Sequence, residues 1–157
     1  MEPRVDIKKH YGKLRGMFTM EQTVRESSLE LPLIHLVKMR ASLINGCGYC
    51  IDMHSKDARA GGETEQRLYG LSAWHEAPYY TPRERAALEW TDTLTLIATK
   101  NVSDEVYERT RQHFSEDELV ALTLQVMAIN AWNRLAISMR AVPGSYEVPA
   151  QAAAQHA

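Results

Sequence analysis

The stretch Leu43-Ile44-Asn45-Gly46-Cys47-Gly48-Tyr49-Cys50-Ile51-Asp52-Met53-His54 decides the reading of this chain. Upstream of it, Leu33, Leu36, Val37, Ala41 and Ile44 recur at helical spacing and predict a helix over 31–44. Asn45-Gly46 ends that helix, because both residues tolerate the left-handed conformation in which helices stop. The chain then reverses into a second helix that carries the cysteines and ends at Gly61-Gly62. On that helix Cys50 and His54 stand at i and i+4 on one face, and Cys47, at i−3, is close enough to Cys50 for a short disulfide. A nucleophile, a base and a resolving thiol thus converge after a helical hairpin turn.

A cysteine in the first turn of a helix sits among free N–H groups and partial positive charge, both of which favour thiolate over thiol. Cys50 has that position, and His54 can take its proton and return one to a leaving oxygen. Counted outward from the turn, His35 lies about ten residues back and His54 about eight forward, so at roughly 1.5 Å per residue they reach similar heights on antiparallel neighbours. His10, His75, His113 and His156 have no motif around them and read as structural or surface residues.

Helix signals recur elsewhere and strand signals do not, so the expectation is an all-α helical bundle. Ile7, Tyr11, Leu14, Phe18 and Glu21 have helical spacing, interrupted by Gly12 and Gly16. Thr81-Pro82-Arg83-Glu84 combines an N-cap, a first-turn proline and a capping-box Glu, opening a helix toward Lys100. Ser115-Glu116-Asp117-Glu118 repeats the pattern and opens a helix to about Arg140 that is apolar on nearly every side. Such a helix is either central or packed against another subunit. Shorter helices fill 64–73 and 104–113. Residues 1–144 read as one domain, and 145–157 as a flexible, alanine- and glutamine-rich tail.

With 18 basic and 20 acidic side chains spread along 157 residues, there is no basic patch of the kind nucleic acid demands. No apolar run approaches the roughly 20 residues of a membrane span, and Met1 to His10 is charged where a signal peptide would be apolar. A cytoplasmic location is expected. In a reducing compartment a single C-x-x-C is more often catalytic, redox-sensing or metal-binding than structural.

The run from Leu36 through His54, with Asp57-Ala58-Arg59 and Ala128-Ile129-Asn130-Ala131-Trp132-Asn133-Arg134-Leu135, resembles the carboxymuconolactone decarboxylase superfamily in its alkylhydroperoxidase D-like branch. The resemblance covers most of residues 30–140. It implies an all-α fold, assembly into trimers or hexamers, and peroxidase or thiol–disulfide oxidoreductase activity without metal or cofactor. By it, Cys50 matches the peroxidatic cysteine, Cys47 the resolving one and His54 the proton-relay histidine. The branch places a relay carboxylate twelve positions before the first cysteine, where this chain has His35, and a histidine in some members where it has Tyr49. Decarboxylase members lack the paired cysteines, which makes decarboxylation the less expected inheritance.

The expected function is therefore a thiol-dependent hydroperoxidase with catalytic residues Cys50, Cys47, His54 and His35. Its partners would be a hydroperoxide and a dithiol reductant: a lipoyl protein, a thioredoxin-like protein or a small thiol. Two alternatives stay open. Cys47, Cys50, His54 and His35 are chemically suited to tetrahedral zinc, and the same disulfide could serve a non-catalytic redox sensor or assembly module.

Overall fold

Gly46 stands at φ +67°, ψ 32°, and the helices on either side of it set the rest of the molecule in place. The computed structural model describes residues 2–149. Among them are seven α-helices: α1 (Arg15–Arg25), α2 (Leu31–Asn45), α3 (Gly48–Ala60), α4 (Glu65–Gly70), α5 (Pro82–Thr95), α6 (Asp104–Arg111) and α7 (Glu116–Met139), with 3-10 turns at Ile7–Leu14 and Leu71–Ala73 and no strand. None of these helices is long and apolar enough to cross a membrane.

The central element is α2, which packs against α3, α5 and α7. One side of it joins a core with Val24, Trp90, Leu122 and Val126 through Ile34 and Val37. Its other side joins Ala58, Leu71, Trp74 and Leu88 through Leu36 and Met39. Each fully buried Leu or Val contributes about 1.5–3 kcal/mol, and truncating Leu122 to Ala would cost about 2–5 kcal/mol. A buried ion pair ties α2 to α5: Arg40 donates to both carboxylate oxygens of Asp92, at 2.6 and 2.8 Å, and the Trp74 indole donates to the same carboxylate.

Helix starts follow local sequence closely. Thr81 and Ser115 each form a full capping box, with Glu84 and Glu118 respectively. Helix ends follow it less. The expected helix toward Lys100 stops at Thr95, where Leu96 takes the C-cap and its carbonyl receives the N–H groups of Thr99 and Lys100. The alternating β-branched residues Thr91, Thr93, Thr95, Ile97 and Thr99 have restricted χ1 freedom in a helix, and the exposed end lacks packing to compensate. The N-terminal helix is split as well: the stretch containing Gly12 is a 3-10 turn, and regular α-helix begins at Arg15.

Helix α7 is not buried on all sides. Val120, Met127 and Ile137 are exposed to 69%, 54% and 47%, so these apolar side chains of α7 are left uncovered by the described residues. After Met139, Arg140 adopts the left-handed conformation and Ala141 donates back to the Ala136 carbonyl, which ends the helix. The chain then crosses α3. Residues 145–149, assigned to the tail by sequence, include Tyr146, whose hydroxyl and carbonyl both bond to α3. The rest of that tail lies outside the described residues.

Candidate active site

The start of α3 is fixed by contacts to α7. The Asn45 side-chain amide donates to the side-chain oxygens of Asn130 and Asn133 at 3.0 and 2.8 Å. Asn133 donates in turn to Ser42, whose hydroxyl reaches the Lys38 carbonyl. Four polar side chains, Ser42 and Asn45 of α2 and Asn130 and Asn133 of α7, are thus joined in one network beside the Gly46 turn.

Cys47 is the N-cap of α3, with extended backbone, and its sulfur accepts the Cys50 N–H at 3.3 Å. The two cysteines are joined in a disulfide with their Cα atoms 5.3 Å apart. Cys50 occupies the first turn, as its sequence position predicts. His54 follows one turn later on the same helix and is buried with the cysteines. Burial holds its charged form down, to about 3, and the charges of Lys38 and His35 press the same way. The ring is therefore neutral across the physiological range. Its Nδ1 is buried with no hydrogen-bond partner among the described residues, and Asp57 Oδ2 stands 3.9 Å away.

His35 lies on α2 toward the C-terminal end of α3, where its Cδ2 is 3.7 Å from the position a Cβ on Gly61 would take. Its basicity is lowered by burial, partly offset by the Asp57 carboxylate, and its Nδ1 also lacks a partner. His35 and His54 are thus linked through their charges, with the Asp57 carboxylate acting on the first and close to the second. The adjoining Lys38 ammonium is paired with Glu21 of α1 at 2.5 Å.

Sequence reasoning did not single out Asp57 or Tyr146 for the site. The i+3 offset of Asp57 from His54 was an available signal. Tyr146 had none, since it arrives from 89 residues further along the chain to donate its hydroxyl to Asp57 Oδ1 at 2.6 Å. Among the described residues, no three His, Cys, Asp or Glu side chains are grouped to hold a metal ion.

Beside α3 a cavity of about 660 Å³ is lined by Met39, Leu43, Ile51, Leu68, Lys56 and Arg59 among others, but not by Cys47, Cys50, His54 or His35. It offers an apolar surface next to the cysteine helix.

Residues 14–93 match the model of the carboxymuconolactone decarboxylase family. YdfG of Bacillus subtilis (strain 168), an uncharacterized protein, is 49% identical over 126 residues, which cover 80% of this chain and 86% of that one. A crystal structure of a protein of unknown function from Agrobacterium tumefaciens, for which a role in antioxidant defence by an alkylhydroperoxidase D has been suggested, superposes with a TM-score of 0.86 at 40% identity, covering 94% of this chain and all of that one. An uncharacterized peroxidase-related protein from Ralstonia eutropha JMP134, with an alkylhydroperoxidase D core, shares the fold at a TM-score of 0.78 and 17% identity, over 88% of this chain and 74% of that one. The bundle, the cysteine pair at the start of α3 and these matches agree: the chain belongs to the carboxymuconolactone decarboxylase family, in its alkylhydroperoxidase D-like branch.

Proposed function

We propose that the protein is a thiol-dependent hydroperoxidase. The observation that carries this reading is the Cys47–Cys50 pair at the N-terminus of α3 with His54 one turn along the same helix. In the reduced protein Cys50 loses its proton to the neutral His54 ring, and the thiolate attacks the distal oxygen of a hydroperoxide. The O–O bond breaks, His54 gives the proton to the departing alkoxide, and Cys50 is left as sulfenic acid. The Cys47 thiol then attacks that sulfur, water leaves, and the disulfide forms. An external dithiol reopens it by exchange and is itself oxidised to a disulfide. No resident cofactor enters the cycle.

The antioxidant role suggested for the Agrobacterium relative supports this reading. The test is steady-state consumption of organic hydroperoxide with a panel of dithiols, including dihydrolipoamide and a thioredoxin-like protein. Turnover with at least one of them supports the enzyme. Disulfide formation without turnover would instead make the pair a redox switch.

A further inference from the structure

The C-terminal segment beyond α7, which lies outside the part of the chain that matches the family model, fastens itself to α3 at four points. Pro143 Cγ lies 3.3 Å from where a Cβ on Gly48 would stand, directly beside Cys47, so a larger residue at 48 would press on the segment. The Gly144 N–H donates to Asp52 Oδ2 at 3.0 Å. Lys56 Nζ donates to the Tyr146 carbonyl at 2.9 Å, and the Tyr146 hydroxyl donates to Asp57 Oδ1 at 2.6 Å. The last contact occupies one oxygen of Asp57 and fixes the carboxylate, while its other oxygen stands 3.9 Å from the partnerless Nδ1 of His54.

We propose that Asp57, held by Tyr146, is the positioning carboxylate of the cysteine site: it orients His54 with Nδ1–H toward itself and closes on the ring when the ring takes the Cys50 proton. This rests on the hydroperoxidase reading for its catalytic consequence, though not for its chemistry at Cys50. The groups facing His54 decide the matter. From α2 come Lys38 and His35, and both oppose a positive ring. Glu21 of α1 is engaged by Lys38. Tyr146 comes from the C-terminal segment as a hydroxyl donor, with Tyr49 of α3 near it. Of the two carboxylates among these groups, Asp57 is the one that Lys38 does not engage and that stands 3.9 Å from the ring, where a negative charge favours an imidazolium.

At 3.9 Å the pair is open in the disulfide form, where His54 has no proton to accept. An approach of about 1 Å brings it to ordinary hydrogen-bond distance. With Nδ1–H committed to Asp57, the Nε2 lone pair is left to receive the proton from Cys50 Sγ and later deliver it to the leaving oxygen.

The test uses the reduced Cys47→Ser protein, so that Cys50 is the thiol read, and follows its alkylation by iodoacetamide from acid to alkaline pH. Asp57→Asn is expected to move the profile upward by about half a unit or more and to slow alkylation at neutral pH about threefold or more. Asp57→Glu should restore most of the parent profile. Tyr146→Phe should give a smaller shift in the same direction, because it frees the carboxylate to rotate, and as a single hydroxyl deletion it keeps the test available if Asp57→Asn fails to fold. Profiles of Tyr146→Phe and Asp57→Asn that superimpose on the parent would overturn the proposal. Because alkylation consumes no hydroperoxide, a parent protein without peroxidase turnover would refute the hydroperoxidase reading and leave this result standing.

Discussion

Cys50 donates its backbone N–H to the sulfur of Cys47, so the first cysteine caps the helix that carries the second. Capping side chains satisfy an N–H that the helix cannot, and losing one costs about 1 kcal/mol. Under reducing conditions Cys47→Ser should therefore leave stability nearly unchanged, while Cys47→Ala should lower it by about 1 kcal/mol. Urea denaturation of the reduced variants checks this.

Burial of a neutral His54 makes stability depend on pH. Its basicity is held down to about 3 in the folded protein, against an ordinary value near 6.5 in the unfolded chain. Between those limits the unfolded state binds the extra proton, so stability falls as pH falls, with a slope approaching about 1.4 kcal/mol per unit for one proton. His35, lowered by burial too, acts in the same direction. The urea midpoint should drop below about pH 6.5, and His54→Gln should flatten that slope. Equal slopes in parent and variant would show that His54 is not buried in its neutral form.

The charge carried at position 35 is expected to reach Cys50 through His54. A carboxylate there would replace a group that opposes a charged His54 with one that favours it. His35→Glu should shift the alkylation profile of Cys50 downward by about a few tenths of a unit. An unchanged profile would make His35 a packing residue.

The apolar face of α7, with Val120, Met127 and Ile137 exposed, is the basis for expecting a homo-oligomer, a trimer or hexamer by resemblance. Light scattering at micromolar concentration should give that mass, and Met127→Glu should lower it. A parent protein that is monomeric would mean that this face stays in water.

Much of the site was legible because its rules are local. The Asn45-Gly46 stop, the N-terminal position of the cysteines and the i+4 offset of His54 depend on neighbours within a turn or two, and α2 and α3 begin and end close to where those signals lie. The same holds for the capping boxes at Thr81 and Ser115. What local rules do not carry was read less well. Apolar residues on all sides of α7 describe its composition and not which side the protomer covers, and that role fell to α2. Tyr146 reaches Asp57 only after the chain has turned back at Arg140, a contact that no spacing rule encodes.

The most direct measurement is the mass and free-thiol content of the reduced protein after one equivalent of organic hydroperoxide. Both thiols, of Cys47 and of Cys50, should be lost, with the mass of an internal disulfide. A trappable sulfenic acid is expected on Cys50 in Cys47→Ser and none in Cys50→Ser. Retention of both thiols while the hydroperoxide remains unreduced would contradict the hydroperoxidase reading.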